Sequence, residues 1–162
     1  MKKLFFLLAI LILVTLELVW PNFLNFFYCK PDLLLIFMIA LVFYTDFKTA
    51  LLFGILAGLA KDVFLPWTLA INTVCFSIWS YLLYRLNRQI STENDYVRWA
   101  IVLVVALLNN LIIGLQSVVT GNIMPPGIFL RNLIIVSIYT TALSPLIFKL
   151  TKKISSYLLS FY

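Results

Sequence analysis

Long apolar runs, each closed by polar or basic residues, follow one another along the whole chain and limit the folds open to it. Only 11% of the 162 residues are charged and the mean hydropathy is +1.08, whereas about a quarter of the residues in soluble domains are charged. A helix of roughly 20 apolar residues crosses the hydrocarbon core of a bilayer. The pattern therefore predicts an all-α integral membrane protein, a bundle of six helices without room for a large water-exposed domain.

The predicted spans make up a single transmembrane domain over residues 1–162. They cover residues 4–20, 33–44, 49–60, 67–84, 99–119 and 128–148. We place the basic and partly apolar tail, residues 149–162, on the cytoplasmic side. The basic start and the first apolar run imitate a secretory signal, but no small-residue cleavage site follows, so we predict an uncleaved first helix.

The second and third runs contain only 12 residues each and form either one long tilted helix or a hairpin of two short helices. Cytoplasmic loops carry an excess of lysine and arginine. A hairpin puts both termini and most basic residues on the cytoplasmic side, leaving Lys30, Lys61 and Arg131 outside. One long helix would instead leave Lys48 at mid-membrane. The charge distribution therefore favours the hairpin.

Residues that usually carry catalysis or bind metals are scarce. Histidine is absent, and the two cysteines, Cys29 and Cys75, lack the spacing of a metal site. An intramembrane aspartyl enzyme needs two facing carboxylates, but Asp46 and Asp62 are assigned to opposite sides of the membrane. We therefore predict no catalytic residue, no metal and no cofactor. Nucleic acid is a poor partner, because the basic residues lie at the span ends, where orientation signals belong.

Ala50, Gly54 and Gly58 recur every four residues in the third span. Such a strip of small residues lets another helix approach closely and gain dispersion contacts. We expect it to serve packing within the bundle. A contact with a partner protein is the alternative.

The adjacent charges of Lys61 and Asp62 close the third span, and two interpretations remain open. In the first interpretation, both side chains reach water at the interface, since lysine snorkels readily. Alternatively, Asp62 turns inward and accepts hydrogen bonds from neighbouring helix termini or from Arg131.

Four further polar residues lie within spans. Glu17, near the end of the first span, is interpreted as an interfacial carboxylate, with a transport role as the alternative. Asn109, Asn110 and Gln116 lie in the fifth span, where amides usually hydrogen-bond across helices. Their alternative role is to line a substrate pocket.

Three segments, in this order, resemble the rod shape-determining protein MreD family. They are residues 30–35 (KPDLLL), residues 54–63 (GILAGLAKDV) and residues 68–72 (TLAIN). The stretch from Arg131 to Phe148 is also similar to the sixth span of that family. Two places depart from the family. The turn at residues 64–67 lacks the family's glycine, and Leu69-Ala70 stands where the family has a Leu-Gly step.

The resemblance implies a six-helix fold similar to the S-components of energy-coupling-factor transporters. It further implies structural or assembly roles for the family-motif residues, which are Pro31, Asp32, Gly54, Gly58, Leu59 and Asp62. It places the chain in a bacterial inner membrane, holding an MreC-like single-span protein and, through it, MreB and the cell-wall synthases of peptidoglycan elongation. We therefore expect a non-enzymatic scaffold that maintains rod shape. The alternative is a solute-binding membrane subunit of a vitamin-type transporter, with Asn109, Asn110 and Gln116 facing an outer pocket.

Overall fold

The computed structural model describes residues 2–19, 29–64, 70–89, 94–121 and 125–159, and its regular elements are helices. The first five are α1 (Lys2–Leu18), α2 (Leu33–Tyr44), α3 (Phe47–Phe64), α4 (Ile71–Gln89) and α5 (Asp95–Val119). α6 (Pro126–Arg131) then runs through a π-helical turn (Asn132–Val136) into α7 (Ser137–Leu159). The predicted all-helical class is confirmed. The likeness to transporter S-components and the cytoplasmic placement of both termini stay predictions.

α2 lies at the centre of the bundle. It packs against α1, α3, α4, α5 and α7, and every residue from Leu33 to Val42 is buried. Its sequence is compatible with this position, since a helix that is apolar on all sides has no face that requires water. Twelve residues make a helix of about 18 Å, shorter than a hydrocarbon core of about 30 Å. A helix of this length placed within a membrane has at least one end inside the hydrocarbon core, where that end needs polar partners from the protein.

α2 and α3 form the predicted hairpin. α2 ends at Tyr44, where the Thr45 amide donates to the carbonyl of Leu41 at 2.9 Å, and α3 begins at Phe47. Lys61, near the end of α3, contacts Asp32 just before α2, so the two helices are antiparallel. The alternative of one long tilted helix is wrong.

The later helices are the longest apolar ones. Two helical paths, Asp95–Val119 and Pro126–Ser155, are long and apolar enough to cross a membrane by themselves. Phe5–Leu18 and Leu33–Tyr44 are apolar but shorter. The described helices thus fit a membrane bundle in which the short α2 is surrounded by its neighbours.

The last helix extends beyond the predicted sixth span. α7 does not end near Phe148 but continues to Leu159, so most of the predicted tail is the last part of this helix. Thr151 is buried, and the Ser155 hydroxyl donates to the Tyr44 carbonyl at 3.0 Å. Apolarity falls at the lysines after residue 148, but packing against the end of α2 keeps the chain helical.

The fourth helix also begins later than predicted. α4 starts at Ile71, and Ala70 before it has a φ of +46°, in the left-handed region that side-chain-bearing residues rarely adopt. Residues 67–69 of the predicted span lie outside the described residues.

Candidate functional site

Asp62 turns inward and caps the start of α4. One carboxylate oxygen accepts hydrogen bonds from the backbone amide of Asn72 at 3.2 Å and from its side-chain amide at 2.8 Å. The other oxygen accepts from the backbone amide of Thr73 at 2.8 Å and from its hydroxyl at 2.6 Å. The first amides of a helix lack partners within that helix and carry partial positive charge. Of the two interpretations of Asp62, the inward one describes the structure.

Gly58 brings α3 close enough for this cap. A Cβ atom on Gly58 would lie 2.6 Å from the Cα atom of Thr73 and 2.9 Å from the carbonyl oxygen of Asn72. One turn earlier, a Cβ atom on Gly54 would collide with the hydroxyl of Ser80. The small-residue strip therefore faces α4 within the bundle, as expected, and this face is not free for a partner. Leu59, between the strip and the cap, is 45% exposed and points outward.

Three ionisable side chains meet where α1 ends, α2 begins and α3 ends; we call Glu17, Asp32 and Lys61 the charged cluster. The Lys61 ammonium donates to one carboxylate oxygen of Asp32 and lies 3.8 Å from a carboxylate oxygen of Glu17. Lys61 and Asp32 are only 8% and 5% exposed. One ammonium thus compensates two carboxylates that the membrane would otherwise penalise.

Asp32 also joins helices through its other groups. Its second carboxylate oxygen accepts from the Leu35 amide at 3.0 Å and so caps α2, while its backbone amide donates to the Thr140 hydroxyl of α7 at 3.1 Å. The preceding residue, Pro31, is buried. The charged cluster with these bonds ties α1, α2, α3 and α7 together at one end of the short central helix.

A cavity of about 290 Å³ adjoins the charged cluster; we call it the cluster cavity. Its lining includes Val14 and Glu17 of α1, Asp32, Lys61, Asn110 of α5 and Val136 of the π-helical turn. α1 packs on α2 and α3, whereas α5 packs on α7, the π-helical turn, α2 and α4. The cluster cavity therefore occupies the space between α1 and α5. The second carboxylate oxygen of Glu17 is buried and has no hydrogen-bond partner among the described residues.

The amides of α5 do not converge on this cavity. Asn110 lines it and donates to the Ser137 hydroxyl at 3.1 Å. Asn109 and Gln116 are buried on another side of α5, and neither amide finds a hydrogen-bond partner in the described part of the chain. The Nε atom of Arg131 is likewise buried without a described partner. Asn110 is thus the one amide of the three predicted that lines the cluster cavity.

Sequence reasoning missed the role of Lys61 as the centre of the cluster. Its partners lie 29 and 44 positions earlier in the chain, so no local motif joins them. The predicted topology held a usable signal: Glu17 ends the first span, Asp32 begins the second and Lys61 ends the third, all on the same side. Glu17 and Asp32, rather than Asp46 and Asp62, are the carboxylates that share a partner, the ammonium of Lys61.

Comparison with known proteins finds the same family that the sequence motifs resemble. The family model for rod shape-determining protein MreD matches residues 1–154 of the 162-residue chain. That stretch includes the charged cluster, the small-residue strip and the Asp62 cap. No curated protein and no solved structure matches the chain.

Proposed function

Because the chain belongs to the rod shape-determining protein MreD family, we propose that it is a non-enzymatic scaffold of the cell-wall elongation machinery. It is a rod-shape-determining membrane protein by family. In the proposal it lies in the bacterial inner membrane as a multi-pass protein and holds an MreC-like single-span partner. Through that partner it connects to MreB and the cell-wall synthases.

The observation that carries this proposal is that the charged groups of Asp32, Lys61 and Asp62 bind neighbouring helices. Asp62 caps α4 and Asp32 caps α2, and Lys61 holds two carboxylates at once. Each of these groups is engaged in joining one helix to another. Such engagement supports a bundle of fixed shape, which is what a scaffold needs, and leaves the carboxylates of Asp32 and Asp62 poorly placed to act as free bases.

We propose that the partner span docks over the cluster cavity, between α1 and α5. Most of the lining is apolar, which suits a transmembrane helix, and the unpartnered oxygen of Glu17 is an acceptor for a polar side chain of the partner. Hydrogen bonds between helices within a membrane contribute about 0.6–2 kcal/mol each. Leu18, which is 48% exposed, lies at the edge of this surface.

Contacts at the opposite end of the bundle support a cytoplasmic placement of both termini. Arg98 at the start of α5 donates to the Tyr44 hydroxyl, and Ser155 near the end of α7 donates to the Tyr44 carbonyl. Phe47 at the start of α3 packs on Tyr84 of α4 with ring centroids 4.9 Å apart. Because of these contacts, Arg98, Lys149 and Lys152 lie at the same end of the bundle. An excess of basic residues is expected at the cytoplasmic end.

Co-purification tests the docking proposal. Ile113 of α5 lines the cluster cavity. Ile113→Trp fills the cavity, so we expect recovery of the MreC-like partner with the tagged protein to fall at least fivefold. Ile78→Trp is the matched control, because Ile78 lies on α4 away from the cavity and is 50% exposed. Unchanged recovery with Ile113→Trp, with the variant folded and inserted at normal levels, would remove the docking proposal.

A further inference from the structure

A second cavity, of about 350 Å³, lies at the other end of the bundle between the end of α2, the start of α5 and α7; we call it the basic cavity. Its charged lining residues are Asp95, Arg98, Lys149 and Lys152. Three cations therefore surround one carboxylate. None of these residues belongs to the charged cluster, and the scaffold role does not use them.

Arg98 and Asp95 neutralise each other. The guanidinium of Arg98 lies 3.3 Å from the Asp95 carboxylate and donates to the Tyr44 hydroxyl at 3.2 Å. It also stacks over the Tyr44 ring, 5.7 Å from its centroid. The guanidinium is thus held in a fixed position, and the charges left uncompensated in the cavity are those of the two lysines.

Lys149 and Lys152 stand three residues apart on α7, a spacing that puts both on one face of the helix. Both are exposed, and neither has an ion-pair or hydrogen-bond partner among the described residues. Like charges at this spacing destabilise a helix. An anion placed between them would remove that repulsion, so the basic cavity is suited to an anionic group.

The surroundings indicate a ligand with an apolar part. Pro145 and Phe148 line the cavity next to the lysines, and Trp99 lies at its edge. Tryptophan and tyrosine prefer the headgroup level of a membrane. Leu146, one turn before Lys149 on α7, is 59% exposed and extends the lysine face as an apolar surface. A phosphate at the lysines would leave an attached acyl chain beside that surface.

We propose that the basic cavity binds the phosphate headgroup of an anionic phospholipid, with Lys149 and Lys152 as the phosphate-binding residues and Arg98 as a fixed neighbouring cation. Basic pockets between transmembrane helices are suited to such headgroups. An acidic segment of a partner protein would satisfy the lysines, but it would leave the apolar face around Leu146 without a role. The lipid therefore accounts for more of the cavity.

Native mass spectrometry of the purified full-length protein in detergent tests this proposal. Phosphatidylglycerol is titrated in one arm, phosphatidylcholine in a second, and glycerophosphoglycerol or inorganic phosphate in a third. We expect the wild-type protein to retain phosphatidylglycerol in preference to phosphatidylcholine and the soluble phosphates. Retention of the soluble phosphates equal to that of the lipid would show a phosphate site only and would contradict the lipid assignment.

The variant Lys149→Gln/Lys152→Gln removes the two uncompensated charges without touching the core. At about fivefold per basic residue, its affinity for phosphatidylglycerol should fall roughly 25-fold. Lys48→Gln, at an exposed position of the same end that does not line the basic cavity, should change it less than twofold. Equal losses in the two variants, or no loss in the first, would overturn the proposal. So would loss of a protein partner from the lysine variant with lipid retention unchanged.

Discussion

At the scale of single residues, the ionisable groups in these helices connect one helix to another. Asp62 at the end of α3 accepts four hydrogen bonds from the first turn of α4. Asp32 caps α2 and accepts from Lys61 of α3. An isolated charge in a membrane is costly. Each of these carboxylates, however, accepts hydrogen bonds from the first amides of a helix, and Asp32 also accepts from the Lys61 ammonium. They therefore determine which helix ends lie together.

Replacing Asp62 by alanine should destabilise the protein. The variant leaves the first amides of α4 without their acceptor, and loss of a helix cap costs about 1–2 kcal/mol. Thermal unfolding in detergent micelles should show a lower midpoint for Asp62→Ala and a smaller decrease for Asp62→Asn, which keeps one acceptor. Asp46→Ser is the control, because it removes an exposed carboxylate between α2 and α3 and keeps a residue type suited to the position just before a helix. Equal midpoints for Asp62→Ala and Asp46→Ser would contradict the capping role.

The charged cluster should show strong coupling between its members. Lys61→Met leaves the carboxylates of Asp32 and Glu17 uncompensated, and breaking a buried ion pair from one side costs about 3–5 kcal/mol. Asn in place of Asp32 removes one charge but still accepts from the Leu35 amide. The double variant Lys61→Met/Asp32→Asn should therefore be more stable than Lys61→Met alone.

Unfolding of the four proteins in this double-mutant cycle measures the coupling. Glu17→Gln serves as the comparison, because it removes the carboxylate farther from Lys61 and should cost less than Lys61→Met. If the destabilisations caused by Lys61→Met and Asp32→Asn simply add, the two residues do not interact as the structure indicates.

Residue types predicted part of this network. Aspartate is too short to reach water from within a span, so the inward orientation of Asp62 was one of two interpretations, and Asn72 and Thr73 decide between them. The Lys61 contacts were missed, because the preference of lysine for water favours an outward side chain. That preference is outweighed here by two carboxylates from other helices.

At the scale of helices, α3 and α4 approach each other closely, and two glycines permit this in different ways. At Gly58 the obstacle to a Cβ atom is the backbone of α4, whereas at Gly54 it is the hydroxyl of Ser80. A backbone obstacle moves only if the helix moves. A side-chain obstacle is removed by substitution.

The two glycines should therefore respond differently to a compensating change. Gly54→Ala and Gly58→Ala should each destabilise the protein by about 1–3 kcal/mol through overpacking. Ser80→Ala, which removes a hydroxyl that has no hydrogen-bond partner in the described structure, should rescue Gly54→Ala but not Gly58→Ala. Thermal unfolding of the single and double variants measures this, and rescue of both glycine variants would show that the α3 and α4 contact is looser than described.

Helix positions were largely predictable from the sequence, whereas only some helix ends were. Hydropathy placed α2 at its observed bounds, because every one of its residues is apolar. The charge distribution, including the position of Lys48, correctly predicted that α2 and α3 are two helices of a hairpin and not one long helix. The predicted span ends at residue 148, because Lys149, Lys152 and Lys153 lower the local hydropathy, whereas the helix itself continues and contacts Tyr44.

At the scale of the whole molecule, the two ends of the bundle differ in kind. One end holds the charged cluster and the cluster cavity, with a buried acceptor on Glu17. The other end holds the basic cavity and most of the exposed basic residues. In the proposed orientation the first end receives a partner helix from the side and the second rests on the anionic cytoplasmic surface. Membership of the shape-determining family is consistent with a protein that acts through binding surfaces such as these two cavities.

Site-specific photo-crosslinking in growing cells tests the central claim most directly. A photoreactive amino acid replaces Leu18, beside the cluster cavity, or Ile78 on α4, and adducts with the MreC-like partner are detected after illumination. The scaffold account predicts a partner adduct from position 18 and none from position 78, with rod shape maintained in both strains. A partner adduct from position 78 alone, or none from position 18 in cells of normal shape, would contradict it.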